Sequence, residues 1–199
     1  MAAHGSAPGK DRWRFRVLGQ DDAAELQRFF DANPEYFLSV DGEPPAPDAA
    51  AHELVDVPPA GMRYREMLLV GVTRRGEPGS ALAAMATVVE GFISEHVSHI
   101  GLFIVATSLH GSGAAQEIYR KLERWMVDRG AAWVRLGVVA GNARAERFWE
   151  RSGYVETRRR GPIEMGRKTN VLRVMVKPLA GGSVDEYLAL VERDRPSAP

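Results

Sequence analysis

Along the chain, short runs of apolar β-formers alternate with segments whose apolar residues recur every three or four positions, so strands and helices are expected to follow one another. "FRVLG" reads as a strand, and 21–31 carries Leu26, Phe29 and Phe30 on one helical face. Pro34, Pro44, Pro45, Pro47, Pro58 and Pro59 punctuate the next stretch, which reads as loop with one short helix near 49–54. A loop of this length points to function or disorder. "EMLLVGVTR" and "SALAAMATVVEGFI", joined at "RRGEPGS", predict an antiparallel hairpin, and "HIGLFIVA" a further strand.

The clearest helical period covers 113–129, where Ala115, Ile118, Tyr119, Leu122, Trp125 and Met126 share a face and Gly130 supplies the stop. "AAWVRLGVVA" is a buried strand. It precedes a short helix over 142–152 that turns Ala145, Phe148 and Trp149 inward and ends at Gly153. Strands over 154–159 and 171–176 close the pattern. The amphipathic "VDEYLALVERD" puts Tyr187, Leu188 and Val191 on one side, suited to packing on its own domain or to a homodimer contact. This order of elements implies the α/β class, a mixed sheet with helices on it.

With 199 residues the chain suits one domain: a disordered leader over 1–12, the domain proper over 13–179, and a C-terminal helix and tail over 180–199. Cysteine is absent, which excludes disulfides, thiolate nucleophiles and cysteine-based zinc sites. The start of the chain lacks the apolar core of a secretory signal and no stretch is long enough to span a bilayer, so a cytoplasmic location with no membrane partner is expected. Lysine plus arginine equals aspartate plus glutamate at 26 each, which argues against a nucleic-acid partner. The charge is unevenly placed: 29–62 holds seven acids and no lysine or arginine, whereas 114–173 holds fourteen bases against seven acids.

At the strand-to-helix junction, "VATSLHGSGAA" (105–115) sets small residues where a helix begins. Free backbone N–H groups and the positive end of the helix dipole favour an anion there, and the absence of bulky side chains lets a pyrophosphate reach the main chain. The third glycine of a dinucleotide fingerprint and the lysine of a Walker loop are both missing. A tight turn that binds nothing has the same composition.

A second segment favours the first reading. His110, Gly111, Ser112, Gly113, Ala114 and Ala115 follow the pattern Q/R-x-x-G-x-G/A except that His110 departs from the usual Gln or Arg, and "NARAERFWERSGY" (142–154) resembles N-x-x-A followed by an aromatic pair and G-F, with Tyr154 in the last place. With both signatures in the expected strand order, the chain from Phe15 to Leu179 resembles the GNAT superfamily of acyl-CoA-dependent N-acyltransferases, of the small-substrate kind. The resemblance implies an α+β fold with a mixed, mostly antiparallel sheet of about seven strands flanked by helices. It implies acetyl-CoA as co-substrate, with Phe103, Ile104 and Val105 along pantetheine, 110–115 around the pyrophosphate, and Asn142, Phe148 and Trp149 beside the cofactor arm. Arg120, Lys121 and Arg124 are candidate phosphate partners or simply solvated helix charges.

The activity implied is direct attack of an amine on the thioester in a ternary complex, which needs positioning, oxyanion stabilisation and removal of a proton. His99, six residues before Val105, stands where relatives carry a glutamate base, or is an ordinary strand histidine. Glu90 and Glu95 are alternative bases. His96 and His99 lie three apart on a strand and point to opposite faces, so no metal site is expected. Phe148 and Trp149 stand where relatives carry a tyrosine acid, leaving Tyr119 or Tyr154 to substitute. Relatives build the acceptor site from the first helix and the loop after it, here the acidic stretch with Tyr36 and Phe37, which would attract a cationic small-molecule amine or peptide. A non-catalytic CoA-binding regulator and an aminoacyl-tRNA-acetylating toxin are the competing functions.

Overall fold

The computed structural model describes residues 12–77, 79 and 81–198; all of the expected leader except Arg12 lies outside them. One sheet carries seven strands, β1 (Trp13–Val17), β2 (Glu66–Arg74), β3 (Ala84–Glu90), β4 (Val97–Val105), β5 (Trp133–Val139), β6 (Val155–Met165) and β7 (Lys168–Pro178), in the order β1-β2-β3-β4-β5-β7-β6. Every neighbouring pair is antiparallel except β4 and β5. Parallel strands need a long crossover, and α4 (Ala114–Asp128) supplies it. The other helices are α1 (Ala23–Ala32), α2 (Glu35–Val40), α3 (Ala49–Val55), α5 (Ala143–Arg151) and α6 (Val184–Leu190).

Helices cover both faces of the sheet. On one, Tyr119, Leu122 and Met126 of α4 and Trp149 of α5 pack on Val134, Leu136 and Met175. On the other, Leu26, Phe29 and Phe30 of α1 and Ala50 of α3 pack on Leu69, Met85 and Leu102. Each large side chain buried this way contributes about 1.5–3 kcal/mol. Packing also explains α2, which the sequence pattern reads as loop: a six-residue helix does not stand alone in water. Pro34 begins it with φ −71°. Asn33 and Glu35 bind the backbone and hydroxyl of Thr107 at 2.7 and 2.6 Å, and Lys168 and Asn170 of β7 donate to the carbonyls of Leu38, Ser39 and Val40. Bonds from sequence-distant segments thus hold both ends of α2.

Two further departures matter for the site. The β6–β7 hairpin is 11 residues long on each arm, well beyond the expected 154–159 and 171–176. The C-terminal helix stops at Leu190, and 192–194 wind into a 3₁₀ turn that carries Asp194 into the interior. There Asp194 Oδ2 accepts from Arg135 Nε and from the Tyr187 hydroxyl, both at 2.6 Å. Tyr187 and Val191 pack against Val97, Trp133 and Val176 of the same domain.

Candidate active site

The two parallel strands that meet in mid-sheet do not stay paired. Val97–Ile100 of β4 face Trp133–Leu136 of β5, after which β4 runs on through Val105 and β5 through Val139 with no ladder between them. A β-bulge at Gly101 coincides with the parting: Thr87 pairs with Leu102 and Val88 with Ile100. The extra residue inverts the alternation of β4. Ile100 and Phe103 therefore share the α4 face, while Leu102 and Ile104 turn to the α1 face. His99, one residue before Ile100, also faces the α1 side.

Two neighbouring cavities lie at the gap. The larger, about 620 Å³, lies between the free edge of β4 (Phe103, Ile104, Val105), the start of α4 and the length of α5. The smaller, about 250 Å³, lies on the opposite face under α2 and the β6–β7 hairpin and is lined by His99, Arg135 and Arg160. Tyr36, Phe103, Asn142, Ala145 and Trp149 line both.

The start of α4 is shaped for an anion. Gly111 and Gly113 have φ of 75° and 84°, a left-handed conformation natural to glycine, and a Cβ on either would meet nothing within 4 Å. Among the described residues, the N–H groups of Gly111, Gly113 and Ala115 have no acceptor, whereas those of His110, Ser112 and Ala114 are taken by Thr107 O, Leu109 O and Ser112 Oγ. Three unbonded donors at the positive end of a 15-residue helix form an anion cradle. His110 buttresses it: Nε2–H donates to Val105 O at 3.0 Å while Nδ1 accepts from Arg144 at 2.6 Å, both contacts satisfied by a single tautomer. Arg144, Arg147 and Arg151, spaced three and four apart on α5, line the same cavity and give it a cationic rim.

The family model of the acetyltransferase (GNAT) family matches residues 22–154. The chain belongs to this family. In fold, it is similar to an acetyltransferase from Thermus thermophilus, with 20% identity, a TM-score of 0.65, and coverage of 84% of this chain and 97% of that one. It is similar also to the ribosomal-protein-S18-alanine N-acetyltransferase from Escherichia coli, with 16% identity, a TM-score of 0.61, and coverage of 87% and 97%. A third similar structure is spermidine N-acetyltransferase from Vibrio cholerae in complex with CoA and spermine, with 15% identity, a TM-score of 0.59, and coverage of 85% and 96%. No curated protein matches the chain in sequence. GNAT members use acetyl-CoA, and the seven-stranded mixed sheet flanked by helices is the GNAT fold.

Within this GNAT chain the expected site residues separate. Phe103–Val105, His110, Gly111, Ala115, Asn142, Phe148 and Trp149 all line the larger cavity. Ser112 and Ala114 support the turn: Ser112 Oγ donates to Leu109 O at 2.6 Å and receives the Ala114 N–H at 3.3 Å. Asn142 caps α5 through Ala145 N at 3.2 Å and donates to Ser39 of α2 at 2.9 Å. The α4 bases do not reach the cleft. Lys121 binds Trp13 O and lies over Phe15, and Arg120 and Arg124 project from α4 into solvent. The α5 arginines stand where a phosphate could be bound, a signal present in the sequence as 144, 147 and 151 on one helical face.

Of the candidate bases, His99 lines the smaller of these two cavities. Glu90 is buried at the far end of β3, where burial pushes its carboxyl up but hydrogen bonds from Arg129 and Arg65 outweigh this and hold it low. Glu95 sits exposed in the β3–β4 connection. Tyr154 is buried beneath Trp149, its hydroxyl 3.0 Å from that of Tyr119, which binds Glu123 at 2.7 Å. Burial drives both phenols far above their usual range. Glu90, Glu95, Tyr119 and Tyr154 line neither of the two cavities.

His99 stacks on Phe92 with ring centroids 4.7 Å apart. Its Nδ1 is 3.1 Å from the Arg135 carbonyl and 3.3 Å from Arg135 Nη1, contacts that need opposite tautomers. The carbonyl contact is the shorter and leaves Nε2 with a lone pair. Burial, then the charge of Arg135, pushes His99 down to about 3. Withdrawing a proton from an ammonium of pKa about 10 would then be steeply uphill. With Nδ1–H on the Arg135 carbonyl, Nε2 is free to accept a hydrogen bond.

The acidic segment divides as well. Tyr36 lines both cavities, and no partner to its hydroxyl occurs among the described residues. Phe37 packs edge-on to Phe30 at 5.0 Å. It borders a separate surface cavity of about 860 Å³ lined by Asp41, Glu43, Glu53 and Asp56, which shares no residue with the other two. Among the described residues no helix is long and apolar enough to cross a membrane, and no group of three or more His, Asp or Glu could hold a metal ion.

Proposed function

We propose that this GNAT chain transfers the acetyl group of acetyl-CoA to a primary amine by direct attack in a ternary complex. The observation that carries this reading is the pair of adjacent cavities that share lining residues at the β4–β5 parting, one with an anion cradle and the other with a hydrogen-bond acceptor. The pyrophosphate takes the N–H groups of Gly111, Gly113 and Ala115, with Arg144, Arg147 and Arg151 around the charged end. The pantetheine arm follows the free edge of β4 between Phe103 and Val105 toward the junction at Tyr36.

The amine reaches that junction from the smaller cavity. It loses its proton to solvent and hydrogen-bonds as the neutral base to His99 Nε2. Its nitrogen attacks the thioester carbonyl and the C–N bond forms; as the tetrahedral intermediate collapses the C–S bond breaks, CoA leaves as a thiolate, and the proton left on the nitrogen passes to solvent, giving the neutral amide. A thiol of pKa about 8.5 leaves readily without an acid. Burial, then Asp41 and Glu53, pushes the Tyr36 hydroxyl above its ordinary range. It therefore stays protonated and acts by donating a hydrogen bond to developing negative charge, since full transfer to the thiolate would be uphill.

The protein has no cysteine, so a thiol reagent reads only released CoA. Thiol release from acetyl-CoA is expected with amines and absent without an acceptor. CoA binding with no release across a panel of amino acids, polyamines, aminoglycosides and peptides would instead mark a non-catalytic CoA-binding protein.

A further inference from the structure

We infer that the acceptor is a small amine carrying its own anionic group, and that Arg160 binds that group. This rests on the acetyl-transfer reading and names the substrate class of its smaller cavity. The cavity holds about 250 Å³ and has no aspartate or glutamate in its lining, a poor match for a polyamine, whose ammonium groups call for carboxylates. Its charged side chains are Arg135 and Arg160. Arg135 is satisfied by the two oxygens of Asp194 at 2.6 and 3.2 Å. Arg160 is not: among the described residues it makes no hydrogen bond and no ion pair, while the charges of Arg193, Arg135 and Arg158 all act against its own and only Asp194 offsets them.

Local structure aims the group. Arg160 pairs with Leu172, after which β6 carries one extra residue before Ile163 pairs with Asn170. The bulge shifts the inward positions of β6 from even to odd, so Arg160 and then Ile163 and Met165 line the same cavity. Gly161 serves this bend, since a Cβ there would lie 2.7 Å from Asn170 O. A guanidinium held at a small cavity amid other guanidiniums has one chemical complement, a compact anion such as a carboxylate or phosphate, and the planar fork suits bidentate binding. The same cavity then presents the amine of that molecule to His99.

The test compares kcat/KM for amino acids with their primary amides, for ethanolamine phosphate with ethanolamine, and for spermidine. Anionic acceptors are expected to be preferred at least tenfold, with carboxylate and phosphate arms showing which anion is taken. Arg160→Gln should abolish the preference by raising the acceptor KM at least tenfold while the KM for acetyl-CoA stays fixed; Arg160→Lys should restore part of it. Neutral or cationic amines turned over as well as anionic ones, or an unchanged preference in R160Q, overturns the proposal and leaves acetyl transfer standing. If no amine is acetylated, calorimetry of the same anions with the CoA-bound protein separates the two claims. Binding lost in R160Q keeps the anion site and discards the transfer, whereas no binding discards the site.

Discussion

Gly113 and Gly130 offer a matched pair of perturbations at the two ends of α4. Both adopt positive φ, 84° and 94°, and a Cβ on either meets no atom within 4 Å. Alanine at either position therefore pays for a left-handed conformation without a steric clash, about 1–2 kcal/mol. For a chain of this size that is a fall in Tm of about 2–8 °C, the same for both variants within error. Their effects on cofactor binding should differ. At Gly113 the methyl enters the cradle and disturbs donors to a charged group, each worth about 1.5–3 kcal/mol, so the Kd for CoA should rise about 10- to 100-fold. At Gly130 it enters solvent beyond the helix end, and the Kd should not move. Thermal denaturation and calorimetric titration with CoA read the two quantities independently. Equal loss of stability with unchanged CoA affinity in Gly113→Ala would refute the cradle, and a weakened Kd in Gly130→Ala would show that strain alone explains any effect.

Three other outcomes follow from the geometry. Asp194→Ala leaves the Arg135 guanidinium buried without its partner, which should cost about 3–5 kcal/mol, read by denaturant unfolding. His99 is held at about 3 when folded against about 6.5 when unfolded, so the unfolded chain takes up its proton first and acid erodes stability by about 1.4 kcal/mol per pH unit across that window. His99→Gln should flatten that acid limb, and the activity of the wild type should show no ionisation near pH 6.5 traceable to this ring. Tyr36→Phe should lower kcat about 10- to 100-fold through the lost hydrogen bond to developing charge, with the CoA Kd unchanged by calorimetry.

What the sequence made legible was whatever repeats locally. The apolar face of α4, the hairpin of β2 and β3 and the inward Phe148–Trp149 pair all follow from period and turn residues, and residues of the two spaced signatures line the larger cavity. The rest depends on partners distant in sequence. Helix α2 exists because Thr107, Lys168 and Asn170 hold its ends. The bulge at Gly101, which decides what His99 faces, is visible only in the register with β3. Asp194 reads as one more polar position on an amphipathic helix until Arg135, 59 residues away, draws it inward. Arg160 looks like one of three consecutive arginines on a strand, and only the hairpin geometry separates it from Arg158 and Arg159. The acidic stretch drew attention by composition, but apart from Glu35 at the rim of the larger cleft its carboxylates stay out of the two cavities that meet at Tyr36.

A crystal structure with bound CoA would decide where the cofactor lies. The pyrophosphate is expected on the N–H groups of Gly111, Gly113 and Ala115, the pantetheine along Phe103–Val105, and the sulfur at the junction near Tyr36. CoA bound at any other surface, with the gap between β4 and β5 left unfilled, would contradict this placement.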